Sequence, residues 1–248
     1  MNKALGGKVV VVTGGSSGIG AAAAHLFATA GARVAVVASR DFVKAAAVAA
    51  TLPGSGHQAC VADVTDSAAL TKLAGDVGEA FGRVDVLVNA AGVTRPVPHA
   101  DLEGLDDELI DRIFAVNWRG TFASVRVFAP LLRASGDGLV VNVSSIAATT
   151  AVGSNIAYCA SKAGVDVMGA ALARALAPVI RVLTVSPGVV DTDFVAGRDA
   201  AASAKIASST PLRRIASVDD VAAAILACAT TLTFSTGSVI QVDGGRHL

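Results

Sequence analysis

The sequence predicts a single-domain α/β protein, built on a doubly wound parallel sheet of seven strands with helices on both faces. Short apolar runs rich in β-branched residues recur seven times along the 248 residues. These runs are continuously apolar rather than alternating, as strands are when both faces of their sheet are buried. Segments with helical periodicity separate the runs, and a repeated strand–helix–strand order gives a parallel sheet with right-handed crossovers.

The predicted strands and helices follow one another in a regular order. Asp66 and Ser217 are residue types that cap helix N-termini, and Asp220 completes a capping pattern with Ser217. The helices cover residues 18–30, 42–52, 67–81, 108–133, 157–177 and 217–230. The strands are KVVVVTG from Lys8, RVAVVAS from Arg33, HQACVAD from His57, VDVLVNA from Val84, GLVVNVSS from Gly138, IRVLTVS from Ile180 and GSVIQVD from Gly237.

The composition excludes several classes of function. The 20 basic and 20 acidic residues balance, so there is no basic stripe for nucleic acid and no acidic tail for a charged partner. The three cysteines and four histidines lack metal-ligand or disulfide spacing. The N-terminus lacks a signal-peptide core, and no run of about 20 apolar residues is free of Gly, Pro and charge. We expect a cytoplasmic protein with no metal and no nucleic-acid or membrane partner.

The stretch TGGSSGIG, from Thr13 to Gly20, follows the first strand and opens the first helix. Gly14 allows a tight turn, Gly18 lets the backbone approach a ligand, and Gly20 lets the helix pack against the strand. The free N–H groups at the helix start suit a pyrophosphate. The spacing is neither the commoner Gly-x-Gly-x-x-Gly nor a P-loop, but the strand–turn–helix context predicts a Rossmann-type dinucleotide site.

The end of the second strand bears on the choice of cofactor. An acidic residue there would bind the adenosine ribose and repel a 2′-phosphate. Ser39 and Arg40 instead offer a hydroxyl and a planar cationic fork, while Asp41 suits the cap of the next helix. We therefore predict NADP over NAD, with an exposed Arg40 that serves only solubility as the alternative.

One long segment shows no strong periodicity of apolar residues. Residues Asp193 to Arg214 are rich in Ala, Ser and Thr. This composition predicts a long excursion of the chain between the sixth strand and the last helix. We expect it to lie above the carboxyl ends of the strands, where ligands bind in open α/β sheets. No Pro- or Ser-rich linker divides the chain. Residues 1–248 are therefore predicted to form one dinucleotide-binding and catalytic domain, with a cover over the substrate at about 193–214.

Eight short motifs follow one another along the chain: TGGSSGIG at Thr13, Asp63-Val64, LVNAAG at Leu87, Asn117, NVSS at Asn142, YCASK at Tyr158, SPGVVDT at Ser186 and VDGG at Val242. In their order and spacing they resemble those of the classical short-chain dehydrogenase/reductase family over essentially the full chain. The family usually has a second Asn where Ala90 stands, and the segment from Ala175 is shorter than usual before the sixth strand.

The resemblance also implies the cofactor contacts. Asp63 and Val64 are expected at the adenine, and Asn89 beside the cofactor. Val190 and Thr192 are expected at the nicotinamide carboxamide. With the glycine turn and the second strand, the predicted cofactor-binding residues are Gly14, Ser16, Ser17, Ile19, Ser39, Arg40, Asp63, Val64, Asn89, Tyr158, Lys162, Val190 and Thr192.

The resemblance implies a catalytic tetrad of Asn117, Ser145, Tyr158 and Lys162, in which Ser145 rather than Ser144 matches by its spacing to the Tyr. Tyr158 and Lys162 share a helix face. A phenol can protonate the oxygen of a carbonyl reduced by hydride, and an adjacent ammonium is expected to lower the phenol pKa from about 10. Lys162 is also expected to bond the nicotinamide ribose. Ser145 can hydrogen-bond the substrate oxygen, and Asn117 can link Lys162 through water to solvent.

The resemblance implies an oxidoreductase that moves hydride between a nicotinamide cofactor and a small-molecule ketone or secondary alcohol. One alternative is a 3-oxoacyl-thioester reductase, with a basic patch at Arg126, Arg133 and Arg174 for a phosphopantetheine carrier. Another alternative is a non-catalytic nucleotide-binding or scaffold protein, which would not need Tyr158 as a proton donor. Arg95 and His99, near the expected mouth, are either solvated charges or contacts for an acidic substrate.

A homotetramer is the expected assembly. The resemblance implies it. The long helix and the helix of YCASK carry more apolar surface than one sheet face covers, and the last strand is expected at an exposed edge of the sheet.

Overall fold

The computed structural model describes residues 4–192, 194–195 and 200–248. Its strands run in parallel in one sheet, in the order β3-β2-β1-β4-β5-β6-β7, which confirms the predicted fold class. Every strand matches a predicted run to within two residues at either end. The strands are β1 Val9–Thr13, β2 Arg33–Ala38, β3 Gln58–Val61, β4 Val86–Asn89, β5 Gly138–Val143, β6 Ile180–Pro187 and β7 Val239–Val242.

Nine α-helices are present in the described part of the chain. Asp41, Asp66 and Ser217 cap three of them through their side chains, as their sequence positions predict. The helices are α1 Gly18–Thr29, α2 Phe42–Thr51, α3 Ser67–Phe81, α4 Asp107–Phe114, α5 Thr121–Ala134, α6 Ala147–Thr150, α7 Ile156–Leu176, α8 Ala200–Ser209 and α9 Val218–Thr230.

The five inner strands of the sheet are buried on both faces, whereas the edge strands β3 and β7 are partly exposed. Val10 and Val12 of β1 pack with the layer that contains α1, α2 and α9, whereas Val9 and Val11 pack with the layer that contains α3, α5 and α7. All four side chains are fully buried. This two-sided burial explains why the strands read as continuous apolar runs.

The position of β1 at the centre of the sheet creates a crevice. The chain passes from β1 to β2 on one side and later places β4 on the other side of β1. Thr13 pairs with Asn89 at the carboxyl ends of β1 and β4, so the loops that follow them leave the sheet side by side. Ligands bind at such a switch point in open α/β sheets.

Residues 108–133 do not form the continuous helix that their periodicity predicts. A π-helical segment, Ala115–Gly120, separates α4 from α5. A Cβ on Gly120 would lie 2.6 Å from the Val64 side chain, so glycine is needed where this segment approaches the loop after β3. Such insertions are frequent at functional sites, and this one contains Asn117.

The predicted excursion is not free of secondary structure. It contains α8, whose alanine- and serine-rich sequence has no strong apolar period. The part of the excursion at Asp193 and residues 196–199 lies outside the described residues.

Helix α7 is long and apolar enough to cross a membrane by length and composition alone. In this fold it packs against α6 and β6 and buries eight of its residues, Lys162 among them. That is the pattern of a core helix.

Candidate active site

A cleft of about 570 Å³ opens at the carboxyl end of the sheet, and the segments that follow β1 to β6 all contribute to its wall. Its volume falls in the range of roughly 300–1,000 Å³ that small-molecule and cofactor sites occupy. Of the predicted cofactor-binding residues, those in its wall are Gly14, Ser16, Ser17, Ile19, Ser39, Asp63, Val64, Tyr158, Lys162, Val190 and Thr192.

The glycine turn has the geometry that a bound pyrophosphate needs. Gly14 has φ +67°, and a Cβ there would lie 2.7 Å from the backbone nitrogen of Ala91. Gly18 has φ +50° and faces open space except for Thr192. The Ser17 side chain makes no capping hydrogen bond, which leaves the first N–H groups of α1 available to an anion. The residues present therefore fit a dinucleotide.

Two predicted cofactor residues lie outside the cleft wall. Asn89 is buried, and its Nδ2 donates to Asn142 Oδ1 at 2.9 Å, so it ties β4 to β5 below the cleft. Arg40 follows Ser39 and is 78% exposed. Its only ion pair in the described residues is with Asp63, at 3.5 Å. An exposed ion pair at this distance restrains the guanidinium weakly.

Helix α7 positions Tyr158 and Lys162 on one face. The helix begins after Asn155, whose buried side chain accepts a hydrogen bond from the Tyr158 backbone N–H at 2.7 Å. The same side chain donates to the Arg95 carbonyl at 2.8 Å. The cap therefore fixes the start of α7, and with it the phenol, to the loop after β4.

The two serines after β5 face in different directions. Ser145 lies near enough to Tyr158 to lower the pKa of the phenol, and its hydroxyl accepts from Ala147 N–H at 3.2 Å. Ser144 is buried, and its hydroxyl donates to the Lys162 carbonyl at 3.3 Å. The structure thus places Ser145, and not Ser144, beside the phenol.

Burial dominates the electrostatics of Tyr158 and Lys162. It raises the pKa of Tyr158 to about 12, despite the opposing effect of Ser145. It lowers the pKa of Lys162 to about 8, against the effect of the nearby Asp166 carboxyl. The prediction that Lys162 lowers the phenol pKa is wrong for this arrangement. Lys162 Nζ donates to the Val143 carbonyl at 2.8 Å and stands 5.8 Å from the centroid of the Tyr158 ring.

Asn117 lies behind the cleft wall and shapes it. Its Oδ1 accepts from Val93 N–H at 2.8 Å, while its Nδ2 donates to the Val93 carbonyl and to Ser161 Oγ, both at 3.1 Å. The side chain therefore holds the loop after β4 against α7. A water relay from Lys162 past Asn117 stays a prediction.

A second cavity of about 620 Å³ adjoins the first. Ser145, Tyr158, Gly188, Val190 and Thr192 line both cavities. The two hydroxyls of the Tyr158–Ser145 pair therefore stand where a cofactor in one cavity meets a small molecule in the other.

Comparison with known proteins identifies the family. A family model described as enoyl-(acyl carrier protein) reductase matches residues 14–247. The D-threitol dehydrogenase of Mycolicibacterium smegmatis is 38% identical over 246 residues, with 97% of this chain and 93% of that protein covered. The cis-4-hydroxycyclohexanecarboxylate dehydrogenase of Sinomonas cyclohexanicum is 37% identical over 250 residues, with 99% and 98% covered. The chain belongs to the classical short-chain dehydrogenase/reductase family.

A solved structure supports the same assignment. The 3-ketoacyl-(acyl-carrier-protein) reductase from Brucella melitensis, complexed with NADH, matches with a TM-score of 0.88 and 33% identity, and covers 98% of this chain and 100% of its own. The predicted class is confirmed: this short-chain dehydrogenase/reductase is an oxidoreductase that acts on CH–OH groups and the corresponding carbonyls with a nicotinamide cofactor.

Several residues of the site were not predicted from the sequence. Phe194 packs against Tyr158 with ring centroids 6.1 Å apart. Arg112 lines the cofactor cleft, and its charge helps to lower the pKa of Asp63. Asp166 stands one helical turn after Lys162, and burial raises the pKa of its carboxyl. Only Asp166 had a local signal, its spacing of four residues from the lysine.

Proposed function

We propose that this short-chain dehydrogenase/reductase interconverts a ketone and a secondary alcohol, with Tyr158 as the group that exchanges the proton. The observation that carries the proposal is the Tyr158–Ser145 hydroxyl pair, which lines both cavities. A substrate carbonyl oxygen placed between the two cavities could accept hydrogen bonds from the hydroxyls of both Tyr158 and Ser145. The nicotinamide supplies or accepts the hydride when bound.

In the proposed reaction, Tyr158 protonates the substrate oxygen and Ser145 donates a second hydrogen bond to it. With a pKa of about 12 the phenol is protonated at neutral pH and can donate its proton in carbonyl reduction, although the raised pKa makes it a weaker acid than an ordinary tyrosine. Lys162 would bond the nicotinamide ribose through Nζ, which already points to the cleft-side carbonyl of Val143. Asn117 would position the loop that carries Val93.

We further propose that NADP(H) is preferred over NAD(H). Ser39 lines the cleft, and the exposed guanidinium of Arg40 follows it. A 2′-phosphate would offer this guanidinium a stronger partner than the distant Asp63 carboxylate. The second strand ends without an acidic residue that would repel the phosphate.

The described part of the excursion supports its proposed role as a cover. Phe194, Val195, Ile206 and Ser209 line the second cavity. We propose that they close over the substrate. The cytoplasmic location also stays a prediction.

A 3-oxoacyl thioester is the second candidate substrate, because the Brucella melitensis protein named for that activity shares the fold and 33% of the sequence. Of the carrier-docking patch predicted at Arg126, Arg133 and Arg174, the last residue lies far from the phenol. Arg174 lies 16 residues after Tyr158 on α7, roughly 24 Å along the helix axis. If a carrier delivers the substrate, it would dock nearer the mouth of the cleft.

The change Tyr158→Phe tests the proposed chemistry. It removes only the phenol oxygen, while the ring still packs against Phe194. We expect kcat to fall by roughly two or more orders of magnitude, the scale of positioned general acid catalysis. Cofactor binding, measured by fluorescence titration with NADPH, should be largely retained. Near-normal turnover of a ketone panel by the variant would refute the mechanism, and binding without turnover by the wild type would favour a non-catalytic protein.

A further inference from the structure

The second cavity contains a cation that the proposed chemistry does not use. Among the described residues that line it, Arg246 alone carries a charge. The rest of the wall away from Tyr158 and Ser145 is mainly apolar, with Ile146, Val152 and Ile206 among its residues. Arg246 comes from the C-terminal segment after β7, so it reaches the cavity independently of α7.

Arg246 is held in place but has no acidic partner. Its Nη1 donates to Ser209 Oγ at 2.8 Å and, at 3.4 Å, to the Ile206 carbonyl and Thr210 Oγ1. No acceptor for its Nε or Nη2 is found among residues 4–192, 194–195 and 200–248. A guanidinium has five N–H donors, so one edge of the fork is still available.

The nearby acid does not neutralise this cation. The Asp243 carboxylate accepts from His247 N–H at 2.8 Å and from Gly245 N–H at 3.0 Å, and is paired with His247 Nδ1 at 2.7 Å. Arg95, by contrast, is 54% exposed and paired with Asp106 at 3.3 Å. Arg246 therefore lines the second cavity without a carboxylate partner in the described part of the chain, whereas Arg95 has one and lies outside that cavity's wall.

We propose that this cavity selects substrates that carry a carboxylate, separated by an apolar segment from the carbon that reacts at Tyr158. The substrates would be keto acids and the corresponding hydroxy acids. The carboxylate would accept two parallel hydrogen bonds from the open edge of Arg246, a geometry that this fork favours. The apolar spacer would lie against the aliphatic wall. This proposal rests on the proposed function in one respect only, which is that the reacting carbon lies beside Tyr158.

The kinetic test compares acids with their methyl esters. The probes are methyl-ketone acids with spacers of two to six methylene groups, each paired with its ester, and reduced with NADPH or NADH. We expect the best acid to exceed its ester in kcat/KM by roughly ten- to hundredfold, the scale of a charge-assisted contact. Arg246→Gln should remove this preference and leave the rate with the ester nearly unchanged, while Arg246→Lys should keep part of it.

Arg213→Gln is the matched control. Arg213 also donates to a carbonyl near the end of α8, that of Ser208, but it does not line the cavity. A loss caused only by loosening α8 would appear in both variants and would affect acid and ester alike. Equal kcat/KM for acid and ester in the wild type, or a preference that survives Arg246→Gln, would overturn the proposal.

Calorimetry separates this proposal from the proposed function. Octanoate and octanamide are titrated into the protein saturated with the cofactor that it binds. We expect the carboxylate to bind at least about tenfold more tightly in the wild type and the two to bind equally in Arg246→Gln. Equal binding in the wild type would overturn the carboxylate site even if ketones are reduced. Preferred carboxylate binding without turnover of any ketone would instead contradict the proposed function.

Discussion

At the scale of single residues, the site combines two groups that burial affects in opposite ways. Burial raises the pKa of the Tyr158 phenol, and it lowers the pKa of the Lys162 ammonium. The first effect keeps the proton on the phenol but makes the phenol a weaker acid. The second effect costs folding free energy. Lys162 is 5% exposed, so in the folded state it must either lose its proton or carry its charge in an apolar environment. Lys162 is therefore expected to reduce the stability of the fold that it serves.

Lys162→Met should raise the free energy of unfolding at pH 7 while removing activity. The folded pKa of about 8 lies below the ordinary value of 10.5, so the wild type gains stability as pH rises from 8 toward 10.5 and loses it as pH falls. At 1.36 kcal/mol per unit, and with the Val143 carbonyl losing its donor, we expect a gain on the order of 1–2 kcal/mol at pH 7.

Urea titrations of the cofactor-free wild type and Lys162→Met, at pH 7 and pH 9.5, measure this effect. The difference between the two proteins should shrink at pH 9.5, because the wild type is then less destabilised. Lys44→Met, at a lysine that is 72% exposed, is the control. A difference of the same size at both pH values would show that packing, rather than proton binding, separates the proteins.

Arg40→Ala should remove most of the preference for NADP(H). A charge-assisted contact at this exposed site contributes roughly one to two orders of magnitude in affinity. The constants for NAD(H) should barely change, since that cofactor has no phosphate here. Ser39→Asp should go further and could invert the preference, because it places a carboxylate in the cleft wall where the phosphate would bind.

Steady-state kinetics with both cofactors measure the preference in the wild type and both variants. Lys44→Ala, a nearby exposed cation on α2, is the matched control and should keep the preference. If the wild type already favours NAD(H), Arg40 is a solvated surface residue.

At the scale of elements, the five inner strands could be predicted closely because burial on both faces imposes an apolar composition on each of them. The break in the helix from residue 108 to residue 133 could not. The apolar period continues through it, whereas the π-helical segment depends on the approach of Gly120 to Val64, a contact between distant residues. Helix α8 was missed because alanine and serine supply no apolar stripe.

The same distinction holds within the site. Tyr158 and Lys162 are four residues apart on one helix, so their proximity is readable from sequence. Phe194 and Arg246 reach the second cavity only because separate segments fold back over it. Their roles follow from tertiary structure alone.

Ser217→Ala tests the cap that the sequence predicts for α9. The Ser217 hydroxyl accepts from Asp220 N–H at 3.1 Å, and the Asp220 carboxylate accepts in return from Ser217 N–H at 2.7 Å. Helix α9 packs on α1 and buries Ile225, so fraying at its start should weaken the core. We expect a loss of about 1 kcal/mol in the free energy of unfolding, within the usual range of roughly 0.5–2.

The urea midpoint at constant m-value measures the loss. Thr71→Ala is the control, because its exposed hydroxyl bonds only the Ser67 carbonyl within its own helix and alanine is the better helix former. This variant should be neutral or slightly stabilised. An unchanged midpoint in Ser217→Ala would mean that Arg214 and Asp220 hold the helix start without the serine.

At the scale of the whole molecule, two surfaces of the single chain are unusual for an isolated domain. Phe114, Trp118 and Phe122 are spaced by four residues from α4 through the π-helical segment to α5, and each is more than one third exposed. Val167 on the neighbouring α7 is 72% exposed. Trp118 and Phe122 stack with centroids 6.3 Å apart. Strand β7 lies at the edge of the sheet. Two separate self-complementary contacts are what a tetramer of two-fold symmetry requires.

The homotetramer therefore stays a prediction with a direct test. Light scattering with size-exclusion chromatography should give about four times the 24.6 kDa chain mass for the wild type. Val167→Glu should reduce this mass, because it adds a charge to the proposed interface. The change should not destabilise the single chain, because the Val167 side chain is exposed there. Leu102→Glu is the matched control: Leu102 is 70% exposed but lies in the segment between β4 and α4 rather than on α7, so the mass should not change. A single-chain mass for the wild type at micromolar concentration would refute the assembly. A full tetramer in Val167→Glu would place the contact elsewhere and leave the aromatic face of α4 and α5 as ordinary surface.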